Sequence, residues 1–242
     1  MELTIATYNV HGCKGLDGRR SPARIARVLA HSGADVLALQ ELDFARSRSQ
    51  FAHQPREIAE MLDMHWHFHS PHEWQHGHYG CAVLSRLPMT LAKAGTLPRI
   101  GRYEPRGVLW VQVHWRGTPV NLVNTHLGLR PTEQARQLDT LLGPAWLGNP
   151  CFRAPAILCG DLNFSPRNAL YRRLANHYAD VQTIHGAHTR FRTWLGLRAL
   201  DYIFITPNIG VAQTIMITTP LARIASDHRP LVALLHLKER HG

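Results

Sequence analysis

The chain has 242 residues, 45% of them apolar and 18% charged, with no low-complexity tract, long charge run or internal repeat. That composition fits a globular domain. Lys and Arg number 27 against 17 Asp and Glu, a formal charge of +10, and only Lys14, Lys93 and Lys238 are lysines. The positive field is therefore almost all guanidinium. Such a field attracts polyanions, whether nucleic acid or an anionic lipid surface. An arginine-biased solvated surface is the plain alternative. No run approaches the roughly 18 apolar residues of a membrane helix. Met1 to Ile5 lacks a basic n-region and an apolar h-region, which points away from a cleaved leader and toward a cytoplasmic location. The four cysteines, Cys13, Cys81, Cys151 and Cys159, form no C-x-x-C pair and lie in or beside apolar runs, so buried thiols are expected rather than disulfides or a zinc site.

In chain order, Leu3 to Val10 alternates as a strand. Ser21-Pro22 opens a helix with Ile25, Val28 and Leu29 on one face and Gly33 as a stop. Residues 35–40 read as a buried strand running into Glu41. Apolar spacing at Ile58, Met61 and Leu62 predicts a helix from Pro55 to Leu62. Strands follow at 65–69, 81–85, 107–115 and 119–125. Thr132 opens a helix through Leu138, Leu141 and Leu142. Strands return at 155–159, 200–205, 211–217 and 231–237, with a short helix between Asn168 and Ala175. Nine or ten strands, many adjacent without an intervening helix, suit an α+β fold. The expected form is two mainly antiparallel sheets packed face to face with helices outside, in a single domain over 1–242.

Polar clusters stand where these strands end. Gly160-Asp161-Leu162-Asn163 follows the apolar run Ala156 to Cys159 and precedes the turn Phe164-Ser165-Pro166. It presents an acid and an amide two residues apart. Tyr8-Asn9-Val10-His11, Gln40-Glu41, Asn124-Thr125-His126, Leu200-Asp201-Tyr202 and Ser226-Asp227-His228 stand at the other ends. Acids are scarce, yet four of the 17 sit in these clusters. The set suits phosphate-ester hydrolysis. Carboxylates in an oxygen-rich site favour a hard cation such as Mg²⁺. Imidazole moves protons, and a carboxylate behind it fixes its tautomer.

The ordered set resembles the endonuclease/exonuclease/phosphatase superfamily. Its matching stretches run from Thr7-Tyr8-Asn9-Val10-His11 through Leu39-Gln40-Glu41, Tyr79 to Arg86, Asn124-Thr125-His126-Leu127, Gly160 to Asn163 and Leu200-Asp201-Tyr202 to Ser226-Asp227-His228. The resemblance implies a DNase I-like four-layer α/β-sandwich. It implies Mg²⁺, with Mn²⁺ as a substitute, held by Glu41 with Asn9 beside it and Asp227 as a further ligand. It implies that Asp161 orients or deprotonates water and that Asn163 holds the water or a phosphate oxygen. His228, oriented by Asp201, would contact phosphate or act as base, and His126 would stabilise the transition state from the other side. The sub-pattern is similar to small bacterial metal-dependent hydrolases, through Glu104-Pro105-Arg106-Gly107 and His126 to Arg130. That similarity makes Arg106 and Arg130 phosphate contacts.

Three departures stand out. Cys81 replaces a polar residue common in relatives, the loop after Thr193-Trp194 is short before Leu200-Asp201, which reduces substrate contacts there, and no carboxylate supporting His126 is evident, Glu104 and Tyr79 being stand-ins. His11 and Trp194 are further substrate-contact candidates. Asp43 shares a face with Glu41 by strand alternation but is expected to pair with Arg46 or Arg48. His65, His67 and His69 share one strand face, more in keeping with a wet sheet surface than with a transition metal. The leading expectation is a monomeric Mg²⁺-dependent phosphodiesterase acting on DNA or RNA, with no protein partner. A phospholipid or small-phosphate hydrolase is the alternative, and an inactive phosphate-binding module the alternative of another class.

Overall fold

Two parallel strand pairs, one at the centre of each of two sheets, set the architecture. The computed structural model describes residues 2–74, 77–150, 155–184, 192–193, 196–197 and 200–238. In chain order the strands are β1 Leu3–Asn9, β2 Val36–Phe44, β3 His65–His69, β4 Glu73–Trp74, β5 Gly77–Ser85, β6 Met89–Thr96, β7 Gly107–Trp115 and β8 Thr118–His126. They continue as β9 Ala156–Asp161, β10 Ala179–Asp180, β11 Arg192–Thr193, β12 Gly196–Leu197, β13 Asp201–Ile205, β14 Ile209–Met216 and β15 Leu231–Leu237. The helices are α1 Pro22–Ala30, α2 Gln54–Leu62, α3 Pro131–Leu142, α4 Ala169–Ala175, α5 Val181–Ile184 and α6 Pro220–Ala225.

One sheet runs β14-β15-β1-β2-β5-β3, with β4 also on β5, and the other runs β10-β13-β9-β8-β7-β6. Only β1/β2 and β8/β9 are parallel pairs in them. Each parallel pair needs a crossover, and α1 and α3 lie within those connections. Strands buried on both faces need apolar side chains on both faces. In β1, Leu3 and Ile5 belong to the core between the sheets, while Ala6 and Tyr8 face the helical layer. The inter-sheet core adds Val36, Ala38, Leu109, Val111, Ile157, Ile203 and Leu235. A second core packs the first sheet on α1, α2 and α6, and a third packs the other sheet on α3 and α4. The result is the expected four-layer α+β sandwich.

Local signals work as read. The Ser21 hydroxyl accepts the Arg24 amide N–H at α1, with Pro22 in the first turn. The expected strands at 65–69, 107–115 and 231–237 have those bounds. Strand β6 was not legible. It is an edge strand, exposed along most of its length and paired on one side only, so burial never imposed an apolar alternation on it. The short elements β4, β10 and α6 also lack a period long enough to read. The strands β4, β6, β10, β11 and β12 raise the strand number above the nine or ten expected. No helix among the described residues is long and apolar enough to cross a membrane.

Gly160 fixes how closely the second parallel pair can approach. Its φ is +147°, and a Cβ there would collide with the backbone carbonyl of Thr125, its register partner on β8. Gly160→Ala should lower stability by about 2–4 kcal/mol through backbone strain and forced separation of β8 and β9. Thermal unfolding should show a fall of roughly 5–15 °C. An unchanged Tm would mean that the strands tolerate a side chain at this crossing.

Candidate active site

The carboxyl ends of parallel strands in one sheet point the same way, so their last residues gather at one edge. Asn9 ends β1 and Glu41 lies near the end of β2, while His126 and Asp161 end β8 and β9. The antiparallel neighbours bring their N-terminal ends to the same edge. Asp201, first in β13, pairs in register with Asp161, which pairs in turn with His126. These three side chains thus stand side by side on adjacent strands. Ser226-Asp227-His228 precedes β15, the antiparallel partner of β1.

Left-handed backbone aims several of these groups. Glu41 has φ +62° at an irregularity between Leu39 and Leu42 in the β2/β5 ladder. A bulge of this kind redirects a side chain and suspends strand alternation, so Asp43 need not share Glu41's direction. Asp43 is fully buried and held by Arg48, whose Nη2 donates to Oδ1 at 2.7 Å and Nε to Oδ2 at 2.9 Å. Asn163 has φ +55°, and its amide N–H donates to Asp161 Oδ1 at 3.0 Å. His11, at φ +51°, donates its backbone N–H to Asn9 Oδ1 at 3.0 Å and so orients that amide.

The side chains form one connected network. Asn9 Nδ2 donates to Glu41 Oε1 and to Asp161 Oδ2, both at 3.0 Å, tying one sheet to the other. Asp161 Oδ2 lies 3.6 Å from His126 Nε2 and 3.6 Å from His228 Nε2. His228 Nδ1 is 2.8 Å from Asp201 Oδ2. His126 Nδ1 is 3.8 Å from Glu41 Oε1 and 2.9 Å from an Arg106 guanidinium nitrogen. Asn163 Nδ2 donates to the Leu127 carbonyl at 2.9 Å and lies 3.0 Å from His126 Nε2. Asp227 stands at the margin, where its Oδ1 accepts the Ser226 hydroxyl at 3.2 Å and lies 3.7 Å from His11 Nδ1. Ser226 also donates to the Asn9 carbonyl at 2.9 Å, which fixes the approach of that segment.

Burial and neighbouring charge push these groups apart in proton affinity. Burial raises the Asp161 carboxyl to about 7, against the opposing pull of His228. Burial likewise pulls on His228, but the Asp201 and Asp161 carboxylates outweigh it and raise the imidazole well above its ordinary value. His126 goes the other way. Burial first, then the Arg106 and His228 charges, hold it well below the usual imidazole range. The resting site therefore holds one charged imidazole and one neutral one.

Asp161, Asp201 and His228 also have one potential ligand atom each within 4.8 Å of one another. In that group His228 Nδ1 is already taken up by Asp201 at 2.8 Å, which leaves only its Nε2 for a cation. The Glu41 edge fits better. It presents a partly exposed carboxylate, the donor chemistry of a hard divalent cation, beside the Asn9 amide, whose Nδ2 faces Glu41 and whose Oδ1 accepts the His11 N–H. The one thiol at that edge, Cys81, is buried, and burial pushes it up to about 12, so it supplies no thiolate. Asp201 Oδ1 and Arg106 Nε are buried without a hydrogen-bond partner among the described residues; a water satisfies the first, and a phosphate oxygen or water the second.

Not every candidate converges. Arg130 lies over the Tyr103 ring, 5.6 Å from its centroid, on the exposed rim. Trp194 and Cys151 lie outside the described residues. His69 bonds the Gly95 carbonyl at 2.9 Å, and the β3 histidines form no three-ligand group among the described residues. Glu104 pairs with Arg106 at 3.1 Å, so the group directly against His126 is a cation and not the carboxylate sought.

Sequence reading gave no role to the amides beneath the site. Gln40 Nε2 donates to Asn124 Oδ1 at 2.7 Å, and Asn124 Nδ2 donates to the Leu39 and Ala82 carbonyls at 2.9 Å. This buried network locks the two sheets one residue before Glu41 and two before His126. Polar residues inside otherwise apolar strands were its only sequence signal.

An α+β sandwich with carboxylates, amides and imidazoles meeting at the ends of two parallel pairs is the frame of a metal-assisted hydrolase. The profile of the Endonuclease/Exonuclease/phosphatase family matches residues 6–228, and the chain belongs to that family. It is a phosphoric ester hydrolase of the divalent-metal-dependent kind. A comparison with curated protein sequences finds no match.

Among solved structures, an endonuclease/exonuclease/phosphatase from Beutenbergia cavernae DSM 12333 superposes with TM-score 0.78 at 24% identity, over 98% of this chain and 72% of that one. The human Nocturnin catalytic domain with bound sulfate gives TM-score 0.75 at 17% identity, covering 98% and 94%. The Bacteroides thetaiotaomicron VPI-5482 mannosyl-6-phosphatase Bt3783 gives 0.72 at 18%, covering 97% and 100%. At these identities the likeness establishes the DNase I-like fold.

Proposed function

We propose that this chain is a Mg²⁺-dependent phosphodiesterase, able to use Mn²⁺, that cleaves nucleic acid in the cytoplasm as a single-domain monomer. The observation that carries the chemistry is the position of Asp161. One carboxylate oxygen lies within reach of Asn9, His126 and His228, and burial brings its proton affinity near neutrality. Glu41 would hold the cation, with Asn9 beside it and Asp227 as a further ligand. When bound, the cation neutralises charge on the phosphoryl oxygens.

Asp161 takes the proton of the attacking water, because a base with affinity near the working pH is both free to accept and strong enough to do so. Asn163 holds the water or a phosphoryl oxygen with its amide. His228, charged and oriented by Asp201, faces the phosphate as a hydrogen-bond and proton donor rather than as the resting base. The neutral His126 stabilises charge from the opposite side. No covalent intermediate is required, and attack is in line with the departing oxygen.

The +10 charge, carried almost wholly by arginine, favours a polyanionic substrate. The exposed Arg130, over the Tyr103 ring, supports that reading as a contact for flanking phosphates. A panel of single- and double-stranded DNA, RNA, liposome-bound phospholipid and small phosphate monoesters, each with Mg²⁺, Mn²⁺ or EDTA, tests this. Nucleic acid should be cleaved fastest, and EDTA should stop cleavage. Preferential turnover of liposomes or of monoesters would replace the nucleic-acid assignment and leave the hydrolase intact.

A further inference from the structure

We propose that Arg106 is a positioning residue that selects the tautomer of His126, keeping Nδ1 unprotonated and the ring proton on Nε2, toward Asp161 and the substrate. The inference rests on the hydrolase reading of the same site and assigns Arg106 a task different from gripping phosphate. Arg106 Nη1 lies 2.9 Å from His126 Nδ1, and the same nitrogen is 3.1 Å from Glu104 Oε1. The arginine side chain is only 10% exposed and that of His126 only 5%. A guanidinium is donor-only and keeps its proton in proteins, so the ring nitrogen facing it must accept. A neutral imidazole has one N–H, which is thereby assigned to Nε2.

The other neighbours agree with this choice. Nε2 faces Asp161 Oδ2 at 3.6 Å, a carboxylate that welcomes an N–H. Glu41 Oε1, at 3.8 Å from Nδ1, would favour the opposite tautomer, but it is farther from that nitrogen than the guanidinium and already accepts from Asn9. Asn163 Nδ2, 3.0 Å from Nε2, competes for the same ring edge. It is also donor-only, but it is the weaker rival, because a neutral amide donates a weaker hydrogen bond than a charged guanidinium. Arg106 in turn is anchored by Glu104, a carboxyl that burial pushes up and Arg106 pulls back. A carboxylate in Arg106's place would demand a proton on Nδ1 and favour a charged ring. A guanidinium does the reverse, so the ring can offer an Nε2–H without bringing a second positive charge beside His228.

Long-range proton–nitrogen correlation on protein carrying ¹⁵N-histidine tests the assignment, with His126 identified by loss of its signals in His126→Gln. Wild type should give an unprotonated, pyridine-type Nδ1 and a protonated, pyrrole-type Nε2. A protonated Nδ1 in the wild type overturns the proposal without any Arg106 variant having to fold. Arg106→Met should mix or invert the pattern and lower kcat roughly ten- to hundredfold with KM little changed, and Arg106→Lys, also donor-only, should restore the pattern and part of kcat. A raised KM with kcat preserved in Arg106→Met would instead make Arg106 a substrate contact and overturn the proposal. The ring-nitrogen signature does not depend on turnover. Failure to hydrolyse any phosphoester would therefore sink the functional reading while leaving the tautomer readable.

Discussion

Asp161→Asn should lower kcat by roughly 10²- to 10⁴-fold, the range that a positioned general base supplies. The substitution keeps the shape of the side chain but only one of its two oxygens: with that oxygen on the Asn163 N–H, the new NH2 faces the Asn9 amide and that hydrogen bond is lost. What it removes is the ability to take a proton and the negative charge between two imidazoles. The pH dependence follows from the sign of the shift. Asp161 works only when deprotonated, and burial raises its carboxyl to about 7, so the wild-type rate should fall with falling pH on a limb at or below that value. A bound cation moves this limb down, never up, since it favours the carboxylate. In Asp161→Asn the limb should vanish from the residual rate. A variant with a wild-type rate and the same acid limb would show that the base lies elsewhere, His228 being the next candidate.

Glu41→Gln should weaken Mg²⁺ binding by at least about a hundredfold and cut kcat on the order of 10³-fold at fixed metal concentration. Gln preserves an oxygen that accepts from Asn9, so the hydrogen bond at 3.0 Å survives while the charge that attracts the cation does not. Titration calorimetry with Mg²⁺ reads the affinity directly. Raising Mg²⁺ should recover part of the rate in this variant and none in Asp161→Asn, because one loses affinity and the other a proton acceptor. Unchanged affinity in Glu41→Gln would move the metal to the Asp161, Asp201 and His228 group, whose ligand atoms also lie within 4.8 Å of one another.

The strands that carry the site were legible because they are buried on both faces. Val36 to Leu39 and Ala156 to Cys159 read as apolar runs, and the polar residues that follow stand out against them. Single chemical identities were legible for the same reason. An Asp, Asn or His at the end of a core strand is conspicuous where acids are few. The edge strand β6 was hidden by its exposure, and the Glu41 bulge was hidden because strand alternation assumes that no residue is left over.

By itself the sequence determined the fold class and the chemical type of the centre, since both follow from local pattern: apolar periodicity, caps and polar strand ends. Only the tertiary structure decided which polar ends meet and in what protonation. Asn9 and Asp161 are 152 residues apart, and they touch because the sheets pack face to face. His126 and His228 are the same residue type at similar strand ends. Burial first, and then Arg106, keep the first neutral, whereas two carboxylates outweigh burial and charge the second. Proton affinity is set by burial and by charges a few ångströms away, and no spacing along the chain encodes those.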